Sequence, residues 1–378
     1  MPEEKSSLSP VASAPPEGGE VTRPRAGMGT LGAALSGRRR RRQINFSWVA
    51  LAILLIAFWA TSPGFYSKNT WLAVSLYASE IIPLATGQLL VILTGGIDLS
   101  DGATLGLSGM TSGVLMVAMW NGGHGAPAAL TIVLGVVVAL ATGAGVGLLN
   151  GILIGSLRLP PFIVTLGTLG MAGAAINLVN NGQSAVGIPP AIANFGSTYL
   201  GGWMPVTFLV AAGLMIVVGG VLAFTKFGWQ IYVVGSNPVA ARRSGIAVTR
   251  RLLAAYVISG ALAAVGGLLV MARFGEGSNA AGANDELTAI AAVVIGGASL
   301  FGGRGTMLGA AVGTTILCIL TSGFVLAGLV PFWQPFATGG VVILAVTFDT
   351  LQGRGHGRRN RWIASLRRLG AADPTEGG

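Results

Sequence analysis

Glu80 is the most costly residue in this sequence to place. It stands nine residues beyond Trp71 inside a long apolar run. That is about 14 Å along a helix, which puts a carboxylate near the middle of a bilayer. Pro83 and Gly87 follow at i+3 and i+7 on the same helical face, with Gln88 beside them. Pro83 frees a backbone carbonyl, so the stretch reads as a polar, kinked stripe. A carboxylate with a neighbouring amide can hydrogen-bond sugar hydroxyls, relay protons, or sit paired inside a helix bundle; all three readings stay open. Glu80 and Gln88 are therefore candidates for the lining of a solute path. Asn177, Asn180 and Asn181 close a later apolar run, where they either meet a polar solute or end a helix. Asp98, Ser100 and Asp101 follow Gly95-Gly96 ahead of another apolar run, and such residues accept from the free N–H groups of a helix start. Glu276, Asp285 and Glu286 read as an acidic outer rim, either solvated or in contact with an external protein.

Beyond these residues there is little for catalysis to use. No G-x-x-x-x-G-K-[ST] occurs, so the chain cannot itself cradle nucleotide phosphates in the P-loop manner. No Ser/His/Asp set is present, and His124 and His356 lie in glycine-rich loops without metal-ligand spacing. Cys318, the single cysteine, sits in an apolar run and allows neither a disulfide framework nor a thiolate metal site. No catalytic residue, metal site or cofactor is assigned, and the chain is not read as an enzyme. Energy for active transport has to come from a partner or an ion gradient.

The elements that must position these residues are membrane spans. Of 378 residues, 52% are hydrophobic and 10% charged, against about 25% charged in soluble domains. The fold class is an all-α polytopic membrane protein. Apolar runs occur at about 47–62, 71–93, 102–120, 126–157, 161–179, 204–224, 252–271, 287–300, 306–330 and 332–348, so about ten transmembrane helices are expected. The net charge of +10 is concentrated at the ends: residues 1–42 hold eight Lys/Arg against four Glu, and residues 351–378 hold six Arg against two acids. Residues 1–46 read as a disordered basic cytoplasmic tail, 47–350 as the transmembrane domain, and 351–378 as a second basic cytoplasmic tail. Contact with the lipid bilayer is implied, and nucleic acid binding is not, because no aromatic-interleaved basic groove is present. With the N-terminus inside, Arg158, Lys226, Arg242, Arg243, Arg250, Arg251 and Arg304 all fall in cytoplasmic connections, as the positive-inside rule requires. Both termini are then cytoplasmic.

Small residues supply the packing logic. Gly143, Gly147, Gly151 and Gly155 recur every four residues, as do Gly309 and Gly313, making bare ridges that let helix backbones approach closely. An internal duplication is also indicated: Gly95-Gly96-Ile97-Asp98-Leu99 and Gly296-Gly297-Ala298-Ser299-Leu300 echo each other some 201–203 residues apart, each followed by a further glycine and threonine.

One cytoplasmic stretch, within 228–251, carries its own helix signals. Asn237 suits an N-cap and Pro238 the first helical position. Ala240 and Ala241 favour helix, Arg242 and Arg243 suit its C-terminal end, and Ser244-Gly245 can close it in the left-handed conformation. A capped two-turn helix exposed to water is either a connecting loop or a docking knob for a soluble partner.

Together these motifs resemble the permease subunits of bacterial ribose/xylose-type ATP-binding-cassette sugar importers. The resemblance spans about 45–350. It rests on Thr94-Gly95-Gly96-Ile97-Asp98-Leu99-Ser100, on Asn150-Gly151 with Pro161-Phe162-Ile163-Val164-Thr165-Leu166-Gly167, on Gly235-Ser236-Asn237-Pro238-Val239-Ala240-Ala241 with Ser244-Gly245-Ile246, and on 289–297. Asp101 departs from the family pattern, where a small apolar residue is expected, and the long N-terminal tail is atypical. The resemblance implies a multi-pass subunit of the bacterial inner membrane. Its implied partners are a second permease subunit (in a homo- or heterodimer), a cytoplasmic ATPase that binds the ATP, and a periplasmic sugar-binding protein. It also implies that residues 237–245 are similar to the coupling helix that rests on the ATPase. Two readings remain as alternatives: an ion-coupled secondary carrier with Glu80 as its proton site, and a passive channel or scaffold built on the glycine ridges.

Overall fold

The computed structural model describes residues 47–121, 126–330, 332–340, 342–344 and 347. Both basic tails, and both histidines, lie outside the described residues. The chain is helical throughout: α1 (Ser47–Thr61), α2 (Lys68–Leu93), α3 (Asp101–Asn121), α4 (Ala128–Gly155), α5 (Pro161–Val179), α6 (Pro190–Gly196), α7 (Val206–Phe224), α8 (Lys226–Ser236), α9 (Pro238–Arg243), α10 (Val248–Phe274), α11 (Asp285–Ile295) and α12 (Met307–Leu326), with residues 333–340 helical beyond them. Four two-residue strands pair as two small antiparallel ladders, β1 (Ala185–Val186) with β4 (Glu276–Gly277), and β2 (Tyr199–Leu200) with β3 (Met204–Pro205).

Seven helices among the described residues are long and apolar enough to cross a bilayer: α2, α3, α4, α5, α7, α10 and α12. The ten apolar runs reduce to seven for a definite reason. The run at 287–300 yields only the eleven-residue α11, about 16 Å of helix against a hydrocarbon core of about 30 Å. The first run forms a shorter apolar helix, and the tenth is only partly among the described residues.

The bundle is organised around α2, whose residues from Ala78 to Leu93 are all buried. α7, α10, α11 and α12 pack around it. The chain continues as helix through Pro83, and Thr86 Oγ1 donates to the Ile82 carbonyl (2.6 Å) one turn further on. α4, α5 and α7 lie at the periphery, and their apolar side chains such as Val133, Ile163 and Ile216 stay exposed, as a lipid-facing surface requires. The glycine ridge of α4 meets α10. A Cβ at Gly143 would strike the Gly260 carbonyl oxygen, one at Gly147 the Tyr256 carbonyl oxygen, and one at Gly151 would lie 2.9 Å from Leu253 Cα. Gly309 and Gly313 of α12 pack likewise on Gly296 and Ala292, at the end of α11. Both ridges are backbone-to-backbone contacts, where any side chain would force the helices apart.

Two segments turn back into the bundle rather than crossing it. After α2 ends, residues 97–100 run back along it, so that Asp101 opens α3 at the level of Gln88, about 8 Å before the α2 C-terminus. After α10, residues 275–284 fold down the glycine face of α3. Gly277 rests on Gly109 and Gly113, Ala281 on Gly106, and Gly282 on Gly102. α11 therefore starts inside the bundle. Glu286 is buried and Asp285 half-buried, so these two residues do not form an exposed rim. Discontinuous helices of this kind are where transporters place solute-facing groups.

Candidate coupling site and translocation cavity

The short helix α9 forms as its sequence directs. The side chain of Asn237 accepts from Ala240 N–H (2.9 Å), Pro238 takes the first helical position, and Gly245 closes the end at φ +79°. Ile246 N–H reaches back to the Ala241 carbonyl (3.0 Å), the six-to-one bond of a Schellman cap. The faces of this helix divide sharply. Ala241 has no exposure and packs with Val234, Ile246 and Val248. Pro238, Val239, Arg242 and Arg243 line a shallow outward concavity, with Ala240 and Ser244 also exposed. Ala240 and Ala241 thus do different things: the second anchors α9 to the bundle, and the exposed face belongs to the others.

α9 is joined to the bundle through α8 and two glycine loops. Gly235 of α8 lies so close to the Leu93 carbonyl oxygen and the Gly303 nitrogen that no Cβ would fit. Gly303 N–H donates to the Leu93 carbonyl (2.9 Å), and Tyr232 Oη to the Gly305 carbonyl (3.0 Å). The last turn of α8, the end of α2 and the loop between α11 and α12 therefore form one backbone-bonded junction. The two glycine loops have the same closure. Gly95 and Gly297 are both left-handed (φ +85° and +91°) and each donates to the residue three before it. Gly96 and Ala298 each donate to the residue five before. The structural equivalence is 202 residues, pairing Gly95 with Gly297 rather than with Gly296. Gly96 lies under the Tyr256 ring, and Gly296 against Gly309.

Behind the first loop is a buried polar cluster. Asp98 Oδ1 accepts from Ser100 N–H (2.9 Å) and Ser100 Oγ (2.6 Å), and Ser100 Oγ in turn accepts from Asn150 Nδ2 (2.9 Å). The Ser100 carbonyl takes the first bond of α3, from Thr104 N–H (2.8 Å). Asp98 and Ser100 therefore shape the loop that starts the helix. Asp101 has another role. Its carboxylate accepts from Ser259 Oγ of α10 (3.1 Å) and from the Gln88 amide of α2 (2.9 Å), tying three helices together. Asp101 is thus a cross-brace. Gln88 is wholly buried in this brace.

Of Glu80, Gln88, Asn177 and Asn180, all candidates for contact with a solute, Glu80 is on the wall of a well-formed cavity. Asn177 Nδ2 donates to the Gly173 carbonyl (3.3 Å) and Asn180 Nδ2 to the Gln183 carbonyl (2.9 Å), so both finish α5. The cavity, about 380 Å³, lies between α2, α10, α11 and residues 334–338, with Glu80, Tyr77, Asp285 and Thr288 on its wall. Glu80 is buried and ion-paired to Arg273 of α10. Tyr77 shares the cavity wall with Asp285 and Thr288. Sequence reasoning passed over Tyr77, although it precedes Glu80 by three positions and shares its face. Asp285 reads from sequence as part of an outer rim, and nothing in the local sequence between Arg273 and Asp285 marks this segment as re-entrant. Among the described residues no group of three or more His, Cys, Asp or Glu is arranged to hold a metal ion.

Comparison with known proteins bears on the whole bundle. Residues 71–347 match the family described as branched-chain amino acid transport system / permease component. The chain is 34% identical over 310 residues to an autoinducer 2 import system permease protein of Enterobacter sp. (strain 638), covering 82% of this chain and 87% of that one. It is 35% identical over 317 residues to a galactose/methyl galactoside import permease protein of Salmonella typhimurium, covering 81% and 93%. A fructose import permease protein of Rhizobium meliloti is 35% identical over 310 residues, covering 80% and 83%. No solved structure matches.

Proposed function

The chain belongs to the permease-component family of branched-chain amino acid transport systems, and from that premise we propose that it is the membrane-spanning permease of an ATP-binding-cassette importer carrying a simple sugar. Relatives named as import permeases for galactose, fructose and autoinducer 2 support the importer class and the solute. The observation that carries the mechanism is the junction of α8 and α9 with both glycine loops. A push on the exposed face of α9 passes through Ala241 and Gly235 to the end of α2 and to the α11–α12 loop. Those elements carry the discontinuous helices α3 and α11, whose buried ends approach the cavity. A cytoplasmic ATPase bound at Pro238, Val239, Arg242 and Arg243 would thereby alternate access to the path, with Asn237, Ala240, Ser244 and Gly245 holding the helix in shape. The absence of a P-loop in this chain agrees with that division of labour.

In this reading the α9 end of the bundle and both termini face the cytoplasm of a bacterium, and the chain is a multi-pass protein of its inner membrane. A second permease subunit completes the pore, and a periplasmic sugar-binding protein delivers the solute. The ion-coupled carrier loses its support, because the Glu80 carboxylate it needs as a free proton site is paired with Arg273. The test is uptake into proteoliposomes. Permease, ATPase and binding protein together are expected to import labelled D-galactose or D-fructose only with ATP. Import driven by a proton gradient without the ATPase would overturn the proposal.

A further inference from the structure

The cavity around Glu80 has a more specific chemistry than a generic pore wall. Its volume falls within the range of about 300–1,000 Å³ typical of small-molecule sites. Two carboxylates, Glu80 and Asp285, reach it from different helices, α2 and α11. Tyr77 and Phe274 contribute aromatic rings, and Thr288 and Gln334 contribute groups that both donate and accept. No basic side chain lines it among the described residues, and the nearby Arg273 is engaged by Glu80. Carboxylates accept hydrogen bonds from hydroxyl groups, and an aromatic ring covers the C–H face of a sugar. A phosphate solute would instead be desolvated beside Asp285 without a free cation, Arg273 being engaged by Glu80, which is costly in a low-dielectric setting.

We propose that this cavity is a solute subsite of the permease itself, selective for uncharged polyols such as neutral monosaccharides and closed to phosphorylated sugars. The inference rests on the sugar-importer reading above and adds to it the residues and the charge rule. Asp285 and Glu80 accept from solute hydroxyls, the Tyr77 hydroxyl on the same wall donates to or accepts from the solute, and Arg273 holds the Glu80 carboxylate in place.

Saturation-transfer NMR on the full-length permease in nanodiscs tests it directly, with D-galactose, D-fructose and D-galactose 6-phosphate as probes. Signal is expected from the neutral sugars and not from the phosphorylated one. Asp285→Asn and Tyr77→Phe should each weaken sugar binding by about tenfold or more, as loss of a charge-assisted hydrogen bond does. Asn180→Ala, on the far end of α5, should bind as wild type. Tyr77→Phe keeps the ring, so it carries the test if Asp285→Asn fails to insert. Equal signal from the phosphorylated sugar, or wild-type binding by both variants, overturns the subsite. ATP-driven uptake by the reconstituted complex separates the two levels. Sugar uptake unaltered by both substitutions removes the subsite but keeps the importer, whereas uptake of leucine and no sugar removes both.

Discussion

The division of α9 into an exposed face and a buried anchor gives a prediction with two arms. The first is Val239→Asp combined with Arg242→Glu. Val239 is 63% exposed, and covering it with a partner contributes about 1 kcal/mol at the usual value for a valine side chain. Arg242 lies on the same concavity, and a charged hydrogen bond from it contributes about 2 kcal/mol. The double variant should therefore lose about 3 kcal/mol of ATPase affinity, a weakening on the order of 100-fold. Neither side chain packs inside the permease, so its thermal midpoint should not move, the change staying within about 0.5 kcal/mol. The second arm is Ala241→Trp. This alanine has no exposure and fits among Val234, Ile246 and Val248, so overpacking should destabilise the permease by about 1–3 kcal/mol. ATPase binding would fall there as well, but with a lowered midpoint. Titration of purified ATPase onto nanodisc-held permease, paired with thermal scanning of each variant, reads both quantities. If the charge-reversed double variant binds within threefold of wild type, α9 is not the docking face and the route from ATPase to pore has to be sought elsewhere.

Other outcomes follow from packing alone. Gly147→Ala places a Cβ onto the Tyr256 carbonyl oxygen and should cost about 2 kcal/mol in SDS-induced unfolding. Gly145→Ala, two residues away and facing open space, should unfold at or slightly above the wild-type SDS fraction. A midpoint for Gly147→Ala equal to that of Gly145→Ala would show that α4 and α10 are not in backbone contact. Cys318 is completely buried and free, so a maleimide should label it only after denaturation; rapid labelling of the folded permease would place a water-filled path beside α12.

Much of this protein was legible in the order of its residues. Composition and run length required a helical membrane protein, because lipid leaves no other way to satisfy long apolar backbones. The caps of α9 are local bonds between residues three to five apart, so Asn237, Pro238 and Gly245 specified that helix unaided. The glycine ridge of α4 announced a close neighbour, since a bare face has no other use in a bilayer. It did not say that the neighbour was α10. What only the tertiary structure decided are the contacts between elements distant in sequence. The pairing of Glu80 with Arg273, the brace from Asp101 to Gln88 and Ser259, and the entry of Asp285 into the bundle each join elements that local pattern treats separately. Apolar periodicity is the same for a helix that crosses the membrane and for one that begins halfway through it, as α11 does. The backbone path of residues 275–284 down the glycines of α3 sets that depth. It turns charges that a linear reading assigns to an outer loop into the wall of a cavity.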